Sequence, residues 1–196
     1  MKPRGTIDTV DHSELKQQLK GVKICRTSTV PYFMVFQLKL QAEYLLDLGM
    51  QVVLVASEGP EWAEMSPGNG LSFKIMNIPR LLSPWQDIVV LVHLTRFFHQ
   101  QRFDIVHSTT PKAGLLTALA AFFTGIPIRL HTFTGQPWVT LKGPMRWSSR
   151  MADRLIGFLS TKCYADSSSQ AKLLVEEGII PFQKIAVIGH GSLAGV

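Results

Sequence analysis

The chain has 196 residues, of which 46% are hydrophobic and 17% charged, and its formal net charge is +6. This composition supplies enough apolar material for one sizeable core and excludes an intrinsically disordered chain. The longest apolar runs, DIVVLVHL and GLLTALAAFF, are well short of the ~20 apolar residues that a membrane span needs, and the basic balance favours nucleic acid, phosphorylated ligands or an acidic membrane surface as partners.

Residues 1–20 form a polar extension, in which Asp11 or Ser13 is predicted to cap a short helix, SELKQQLK, that Gly21 ends. The extension has no apolar run of the kind that a secretory signal needs, so we expect a cytoplasmic protein. Residues 21–196 are predicted to form the domain. They open with a β-α-β unit made of the strand VKICRTST, the helix FQLKLQAEYLLDLG and the buried strand MQVVLVAS.

The alternation of strands and helices then repeats to the end of the chain. In order, the segments are the strand LSFKIMNIP, the helix PWQDIVVLVHLTRFFHQQ, the strand FDIVHS, the helix KAGLLTALAAFFTG, the strand PIRLHTF, the helix PMRWSSRMADRLIGFLS, the strand KCYAD, the helix SSQAKLLVEEGI and the strand KIAVIG. This pattern predicts an α/β fold, a single Rossmann-like domain with a central parallel sheet of about seven strands and helices on both faces.

Several common site motifs are absent from the sequence. No G-x-G-x-x-G follows the first strand, which argues against a dinucleotide bound in the usual way, and there is no P-loop and no G-x-S-x-G. Cys25 and Cys163 stand alone in strand-like runs, without the spacing of metal ligands, and are predicted to be buried reduced thiols. We therefore expect no metal site and no cofactor.

The loops at the carboxyl ends of the strands are where a doubly wound sheet binds its ligand. The most specific of them lies in HSTTPKAGLL, where His107 is predicted to end a strand and Lys112 to open a helix. A helix N-terminus suits a phosphate or sugar hydroxyls. A structural role fits the same residues, with Ser108 or Thr110 as helix cap and His107 as a hydrogen-bonded histidine at the rim. The residues alone leave both interpretations open.

The segment FDIVHSTTPKAGLLTALAAFFTGIPIRLHTFTGQPW resembles the amino-terminal half of glycosyltransferase family 4, retaining enzymes with a GT-B fold. The end of the chain, KIAVIGHGSLAGV, is similar to the crossing between the two domains of those enzymes. The resemblance covers residues 21–196, and it points to the bacterial members that extend lipid-linked oligosaccharides for capsule, O-antigen or protein glycans.

This resemblance implies that the chain is the acceptor-side domain of a retaining glycosyltransferase, which moves a sugar from a nucleotide-sugar donor to a lipid-linked glycan acceptor. It implies that a donor-binding domain is absent from this chain, so that the chain alone is inactive. The main catalytic residues are expected in that domain, which leaves the catalytic residues of this chain unknown. Nucleic acid is not expected as a partner. The residues that it assigns to acceptor or cleft contacts are His107, Lys112, His131, Thr134 and Gly135. The residues that it assigns to the hinge and the donor edge are Gly189, Gly191 and Ser192.

The sequence departs from the family pattern in two loops. The loop TSTVPYF lacks the glycine pair that many members carry after the first strand. In HTFTGQ, Thr134 precedes Gly135 where many members have histidine, and His131 lies three residues before Thr134. The sequence therefore leaves open whether His131 or Thr134 faces the cleft.

The predicted helix PMRWSSRMADRLIGFLS carries arginines at i, i+4 and i+8 beside large apolar side chains. This pattern is typical of an interfacial helix on anionic lipid, which would place the protein on the inner face of the membrane. The membrane-facing candidates are Trp138, Arg146, Trp147, Arg150 and Arg154. A solvated face beside an ordinary core stripe explains the same spacing.

Two other functions stay open at this point. The chain could be a non-catalytic module that binds a partner or a lipid-linked sugar. It could also be a nucleotide-sugar epimerase or reductase on a similar sheet, although the absence of a dinucleotide fingerprint weighs against that function.

Overall fold

A computed structural model of the chain describes residues 11–80, 83–189 and 191. The strands are β1 (Lys23–Thr27), β2 (Gln51–Ala56), β3 (Leu71–Ile75), β4 (Ile105–Thr109), β5 (Ile128–Phe133), β6 (Lys162–Ala165) and β7 (Ile185–Val187). The α-helices are α1 (His12–Leu19), α2 (Lys39–Asp47), α3 (Pro84–Gln101), α4 (Pro111–Phe123), α5 (Gly143–Leu159) and α6 (Ser168–Glu176). Short 3-10 segments span Pro60–Glu64, Pro137–Val139 and Phe182–Lys184, and a π-helix spans Phe33–Gln37.

The strands form one parallel sheet in the order β3-β2-β1-β4-β5-β6-β7. This confirms the predicted α/β class and the predicted parallel sheet. The chain reverses its direction of travel across the sheet between β1 and β4, which is the switch point where doubly wound sheets open a crevice.

Helices cover both faces of the sheet, as predicted, but unequally. On one face, α3 and α4 pack Leu94 and Leu116 against the β1 and β4 side chains of Cys25 and Val106. On the other face, the π-helix and α2 pack against β1 and β2. Right-handed crossovers explain this arrangement. The connections from β3 to β4 and onwards to β7 all cross the sheet in one direction, so their helices all lie on the face that α3 and α4 cover.

The helix predicted for FQLKLQAEYLLDLG begins earlier than expected and is not uniform. It starts as the π-helix, and the N–H of Leu38 donates to the carbonyl of Phe33 at 2.9 Å before α2 begins at Lys39. The wider turn allows Met34, Val35 and Leu38 all to be buried, which a 3.6-residue period does not predict.

Helix α4 lies deep between α3 and α5 because its buried positions are small. Its closest approach is at Gly114, where a side-chain carbon would overlap the ring of His131. Helix α4 is buried on most sides, except at its end, where Phe122 and Phe123 are exposed.

The predictions for the cap of the first helix and for the two cysteines are confirmed. Asp11, rather than Ser13, caps α1 by accepting a hydrogen bond from the N–H of Ser13 at 3.0 Å. Cys25 and Cys163 are buried and unpaired, and burial raises the pKa of the Cys163 thiol to about 12. In the part of the chain that the structure describes, every helix is too short or too polar to span a bilayer.

Candidate functional site

The loops that follow β1 and β4 meet at the switch point and are joined by two threonines. The N–H and the hydroxyl of Thr29 both donate to Oγ1 of Thr110, at 3.2 and 3.3 Å. Thr110 directly precedes α4 and has a φ of +69°, a conformation that side chains with a branched β-carbon rarely adopt. The structure therefore holds a strained residue in place at the crevice of the sheet.

A cavity of about 670 Å³ lies beside this crevice, at the carboxyl ends of β1, β2 and β3 and the start of α3. Most of its lining surface is apolar, but several polar residues line it, and we call it the polar cavity after them. Its volume is in the range of small-molecule sites, roughly 300–1,000 Å³. The polar residues that line it are Thr29, Ser57, Glu58, Asn77, Arg80, Ser83 and Gln86. One wall is fixed by Ser57, whose Oγ accepts from the N–H of Ile78 at 2.9 Å and donates to the carbonyl of Ile78 at 3.2 Å.

The two candidate histidines lie inside the sheet rather than at its rim. Strand β4 continues to Thr109, so the prediction that His107 ends a strand is wrong. His107 is 8% exposed, with Nε2 2.8 Å from Oγ1 of Thr132, and His131 is 1% exposed, with Nδ1 2.9 Å from Oγ of Ser108. Each ring thus joins β4 to β5 through a hydrogen bond within the sheet, and the assignment of both histidines to acceptor or cleft contacts stays a prediction.

Burial also fixes the charge of both rings. It lowers the pKa of His131 to about 3, and together with the charge of Arg26 and the nearby His131 it lowers the pKa of His107 well below its ordinary value. Arg26 is itself buried next to His107 on β1, and its Nη1 donates to Oε1 of Gln41 at 3.1 Å. Both histidines are therefore neutral hydrogen-bonding groups at physiological pH.

Lys112 lies in the first turn of α4, as predicted, but it is paired. Its Nζ is 2.7 Å from Oδ1 of Asp87 in the first turn of α3, and both side chains are largely buried. The ion pair ties the starts of the two helices together next to the polar cavity. A ligand contact would have to compete with this carboxylate.

Thr134 and Gly135 follow β5 and are half-buried at the rim. Thr134, and not His131, therefore stands at the edge of the crevice. The neighbouring Gln136 accepts a hydrogen bond through Oε1 from Nε2 of Gln170 at 3.3 Å, which connects this loop to α6.

The turn after β7 requires glycine at two positions. Gly189 has a φ of +57° and Gly191 a φ of +95°, and a side chain on Gly191 would overlap the carbonyl of Asp166. The N–H of Gly191 donates to the carbonyl of Ile188 at 3.0 Å, which closes the turn. The role of these glycines as a hinge and donor edge stays a prediction, and Ser192 lies outside the described residues.

Only part of the predicted membrane-facing set is exposed. Trp138 is 1% exposed and its Nε1 donates to Oδ2 of the buried Asp153 at 2.7 Å, so its assignment as membrane-facing is wrong. The indole faces inwards because it satisfies a carboxylate that water cannot reach, and burial raises the pKa of Asp153 to about 6.

The arginines of α5 divide into two groups. Arg150 donates to the carbonyl of Glu177 at 2.6 Å and pairs with its carboxylate at 2.8 Å, and Nε of Arg154 donates to the carbonyl of Gly178 at 3.1 Å. These two side chains cap the C-terminal end of α6, where cations are favourable. Arg146, Trp147 and Arg154 are exposed, and their assignment as membrane-facing stays a prediction.

None of the polar residues that line this cavity was among the site residues predicted from the sequence. These residues form no local motif, and they meet because β3, β2 and β1 are neighbours in the sheet.

Comparisons with known proteins identify the family that the chain matches. A family model described as a glycosyl transferase 4-like domain matches residues 36–191. The chain is 31% identical over 156 residues to the capsular polysaccharide biosynthesis glycosyltransferase CapM of Staphylococcus aureus, covering 80% of this chain and 40% of CapM. It is 23% identical over 183 residues to the UDP-Gal:alpha-D-GlcNAc-diphosphoundecaprenol alpha-1,3-galactosyltransferase of Escherichia coli, covering 90% of this chain and 46% of that enzyme. The chain thus spans about half the length of the curated relatives it matches.

Solved structures share the fold. A glycosyltransferase from Rickettsia africae superposes with a TM-score of 0.66 at 18% identity, covering 86% of this chain and 42% of that protein. HepE from Anabaena, solved in complex with UDP and glucose, superposes with a TM-score of 0.61 at 14% identity, covering 87% of this chain and 45% of HepE.

Proposed function

Because the chain belongs to the family of glycosyl transferase 4-like domains, we propose that it is the acceptor side of a retaining glycosyltransferase. The enzyme transfers a sugar from a nucleotide-sugar donor to a lipid-linked glycan during the synthesis of a cell-surface polysaccharide. The names of the two curated relatives support this proposal, since one takes part in capsule synthesis and the other is named for a galactosyl transfer to a diphosphoundecaprenol-linked sugar.

The polar cavity at the ends of β1, β2 and β3 carries the proposal. Glu58, Asn77 and Gln86 supply acceptors and donors for sugar hydroxyls, and Arg80 supplies a guanidinium suited to the phosphate of a lipid-linked acceptor. The acceptor hydroxyl oxygen forms a bond to the anomeric carbon of the donor sugar, and the bond from that carbon to the diphosphate oxygen of the nucleotide breaks. The proton of the acceptor hydroxyl passes to the departing diphosphate. Positive charge around the leaving diphosphate stabilises this step.

In this proposal the donor is held by a second domain, across a cleft from the rim of this sheet. Thr134 and Gly135 lie on that rim, and the turn through Gly189 and Gly191 leads towards the second domain. The chain alone is then inactive. We also propose that no metal or cofactor takes part, so that EDTA leaves the rate of transfer unchanged, and that the enzyme works at the cytoplasmic face of the membrane.

The test is a transfer assay on the two-domain enzyme with a panel of nucleotide sugars and a short-chain, water-soluble lipid-pyrophosphate glycan as acceptor. Asn77→Ala and Arg80→Ala should each raise the KM for the acceptor about tenfold, which equals ~1.4 kcal/mol, and leave the KM for the donor unchanged. Lys172→Ala, an exposed site on α6, is the matched control and should behave like the parent.

The assay also separates the other two functions. Binding of the acceptor without transfer from any donor would favour a non-catalytic binding module. Conversion of a nucleotide sugar in the absence of acceptor would favour an epimerase or reductase. An unchanged acceptor KM in both cavity variants would refute the proposed position of the acceptor.

A further inference from the structure

One wall of the polar cavity is fixed by hydrogen bonds between distant parts of the chain. The loop after β1 reaches the cavity through Thr29 and Val30. The N–H and the hydroxyl of Thr29 both donate to Oγ1 of Thr110, which lies 81 positions later and directly precedes α4. We call this pair of hydrogen bonds the threonine clasp. It connects a wall of the cavity to the start of a buried helix.

The backbone of Thr110 has a conformation that its neighbours along the chain do not explain. Its φ is +69° and its ψ is 137°. Pro111 accounts for ψ, because a residue before proline is held at a ψ of about 120–160°, but such a residue ordinarily has a negative φ. Glycine would adopt the observed φ without strain, whereas threonine carries a branched β-carbon. A strained residue persists only where the surrounding structure fixes it.

Thr110 also lacks a role that its position would allow. It is the N-cap of α4, where a threonine hydroxyl commonly accepts a hydrogen bond from a backbone N–H of the first helical turn. The side chain of Thr110 makes no such bond, and its Oγ1 accepts from Thr29 instead. Neither helix capping nor backbone preference therefore explains a threonine at this position, and the clasp is what its hydroxyl serves.

The loop after β1 is held on its opposite side as well. The N–H of Ser28 donates to the carbonyl of Val55 on β2 at 3.0 Å. Gly59, in the loop after β2, lies so close to Pro31 that a side chain at Gly59 would overlap the proline ring. Together with the clasp on the β4 side, these contacts fix the loop between its two neighbours.

We propose that Thr110 is a positioning residue for the sugar acceptor, because the clasp sets both the place and the hydrogen-bonding direction of Thr29. This inference rests on the proposed function of the polar cavity. Since the hydroxyl proton of Thr29 is donated to Thr110, its Oγ1 offers only lone pairs to the cavity, where it accepts a hydrogen bond from a sugar hydroxyl. Thr110 acts through Thr29 and needs no contact of its own with the acceptor.

Three substitutions at Thr110 separate the clasp from the strain. Thr110→Ser keeps the hydroxyl, whereas Thr110→Ala and Thr110→Gly both remove it. Thr110→Gly also relieves the backbone, so it should melt at a higher temperature than Thr110→Ala. In the transfer assay on the two-domain enzyme, Thr110→Ala and Thr110→Gly should both raise the KM for the acceptor at least about fivefold and leave the KM for the donor unchanged. Thr110→Ser should keep an acceptor KM near that of the parent.

Thr124→Ala is the matched control. Thr124 follows the other end of α4, and its hydroxyl donates to the carbonyls of Ala120 and Ala121 in that helix. Its removal should leave the KM for the acceptor unchanged. If Thr110 served stability alone, the acceptor KM would follow the melting temperature, and Thr110→Gly would bind the acceptor better than Thr110→Ala.

Hydrogen exchange tests the clasp without turnover. The amide of Thr29 is bonded to Oγ1 of Thr110 at 3.2 Å. In the two-domain enzyme, it should therefore exchange faster in Thr110→Ala and Thr110→Gly than in the parent, and at the parent's rate in Thr110→Ser. An unchanged exchange rate in Thr110→Ala would overturn the proposal.

The kinetic results separate this inference from the proposed function. A normal acceptor KM in Thr110→Ala and Thr110→Gly, in an enzyme whose Asn77→Ala and Arg80→Ala variants raise it, would overturn only the inference about Thr110. Absence of transfer from every donor would refute the proposed function and, with it, the role of Thr110 towards the acceptor.

Discussion

Lowering the pH from about 7.5 to about 5 should destabilise the domain, because His107 and His131 are buried as neutral rings. Their pKa values are lower in the folded chain than the ordinary 6.5. In this pH range the unfolded chain therefore binds two protons that the folded chain does not. The stability that the neutral rings contribute is complete above pH 6.5 and is lost as the pH falls below it.

The expected loss follows from the same values. At about 1.5 pH units below the unfolded pKa, each ring costs up to about 2 kcal/mol, so the two together cost up to about 4 kcal/mol. Asp153 acts in the opposite direction, because its pKa is raised from 3.8 to about 6 and the folded chain takes up its proton first. That proton uptake stabilises the folded chain by about 1 kcal/mol between these pH values, so the net loss of stability is up to about 3 kcal/mol.

Urea unfolding followed by tryptophan fluorescence at both pH values measures this loss. His131→Asn removes one of the two rings, so the loss should fall by about 2 kcal/mol, to about 1 kcal/mol. His99→Asn, at an exposed position on α3, is the control and should keep the full loss. Equal stability at the two pH values in the parent would show that the rings take up protons in the folded state, and the assignment of buried neutral histidines would be refuted.

Further predictions concern stability. Gly114→Ala should lower the free energy of unfolding, measured with urea, by about 1–3 kcal/mol, because the new methyl group overlaps the buried ring of His131. The control Gly135→Ala has open space around it and should change the stability by no more than about 0.5 kcal/mol. Equal losses in the two variants would contradict the tight packing of α4. Arg102→Gly should stabilise the domain by about 0.5–1 kcal/mol, since φ is +52° at the end of α3, and a loss of melting temperature would count against this explanation. Asp153→Asn should raise the free energy of unfolding by up to about 3 kcal/mol at about pH 8, where the wild-type carboxylate is ionised and buried, and this gain should vanish below about pH 3.8. A loss of stability at pH 8 would mean that the hydrogen bond from the Trp138 indole to the carboxylate outweighs the cost of burying the charge.

The architecture was predictable because each element carries its own local pattern. Helix α3 illustrates this, since its observed bounds, Pro84–Gln101, match the predicted segment. Proline at the first position and apolar residues at helical spacing are both local features. The parallel order of the strands follows from the helices between them, which force each strand to return in the same direction.

The site was less predictable because it depends on contacts between distant residues. The polar run after Val106 suggests a loop, yet Ser108 and Thr109 belong to a buried strand, where bonds to neighbouring strands satisfy their hydroxyls. Trp138 is drawn inwards by Asp153, fifteen residues later, and no local spacing shows that pairing. Sequence periodicity gives the side of an element that is apolar, but not the partner of a buried polar group.

The central position of β1 has a consequence for the folding of the nascent chain. This first strand pairs with β2 and also with β4, and the bond from Lys23 to Asp104 spans 81 residues. At a synthesis rate of about 5–20 residues per second, the edge of β1 that later receives β4 waits roughly 4–16 s for its partner on the ribosome. An unpaired strand edge invites pairing with other chains. Slower elongation between residues 27 and 105 should therefore increase aggregation during synthesis.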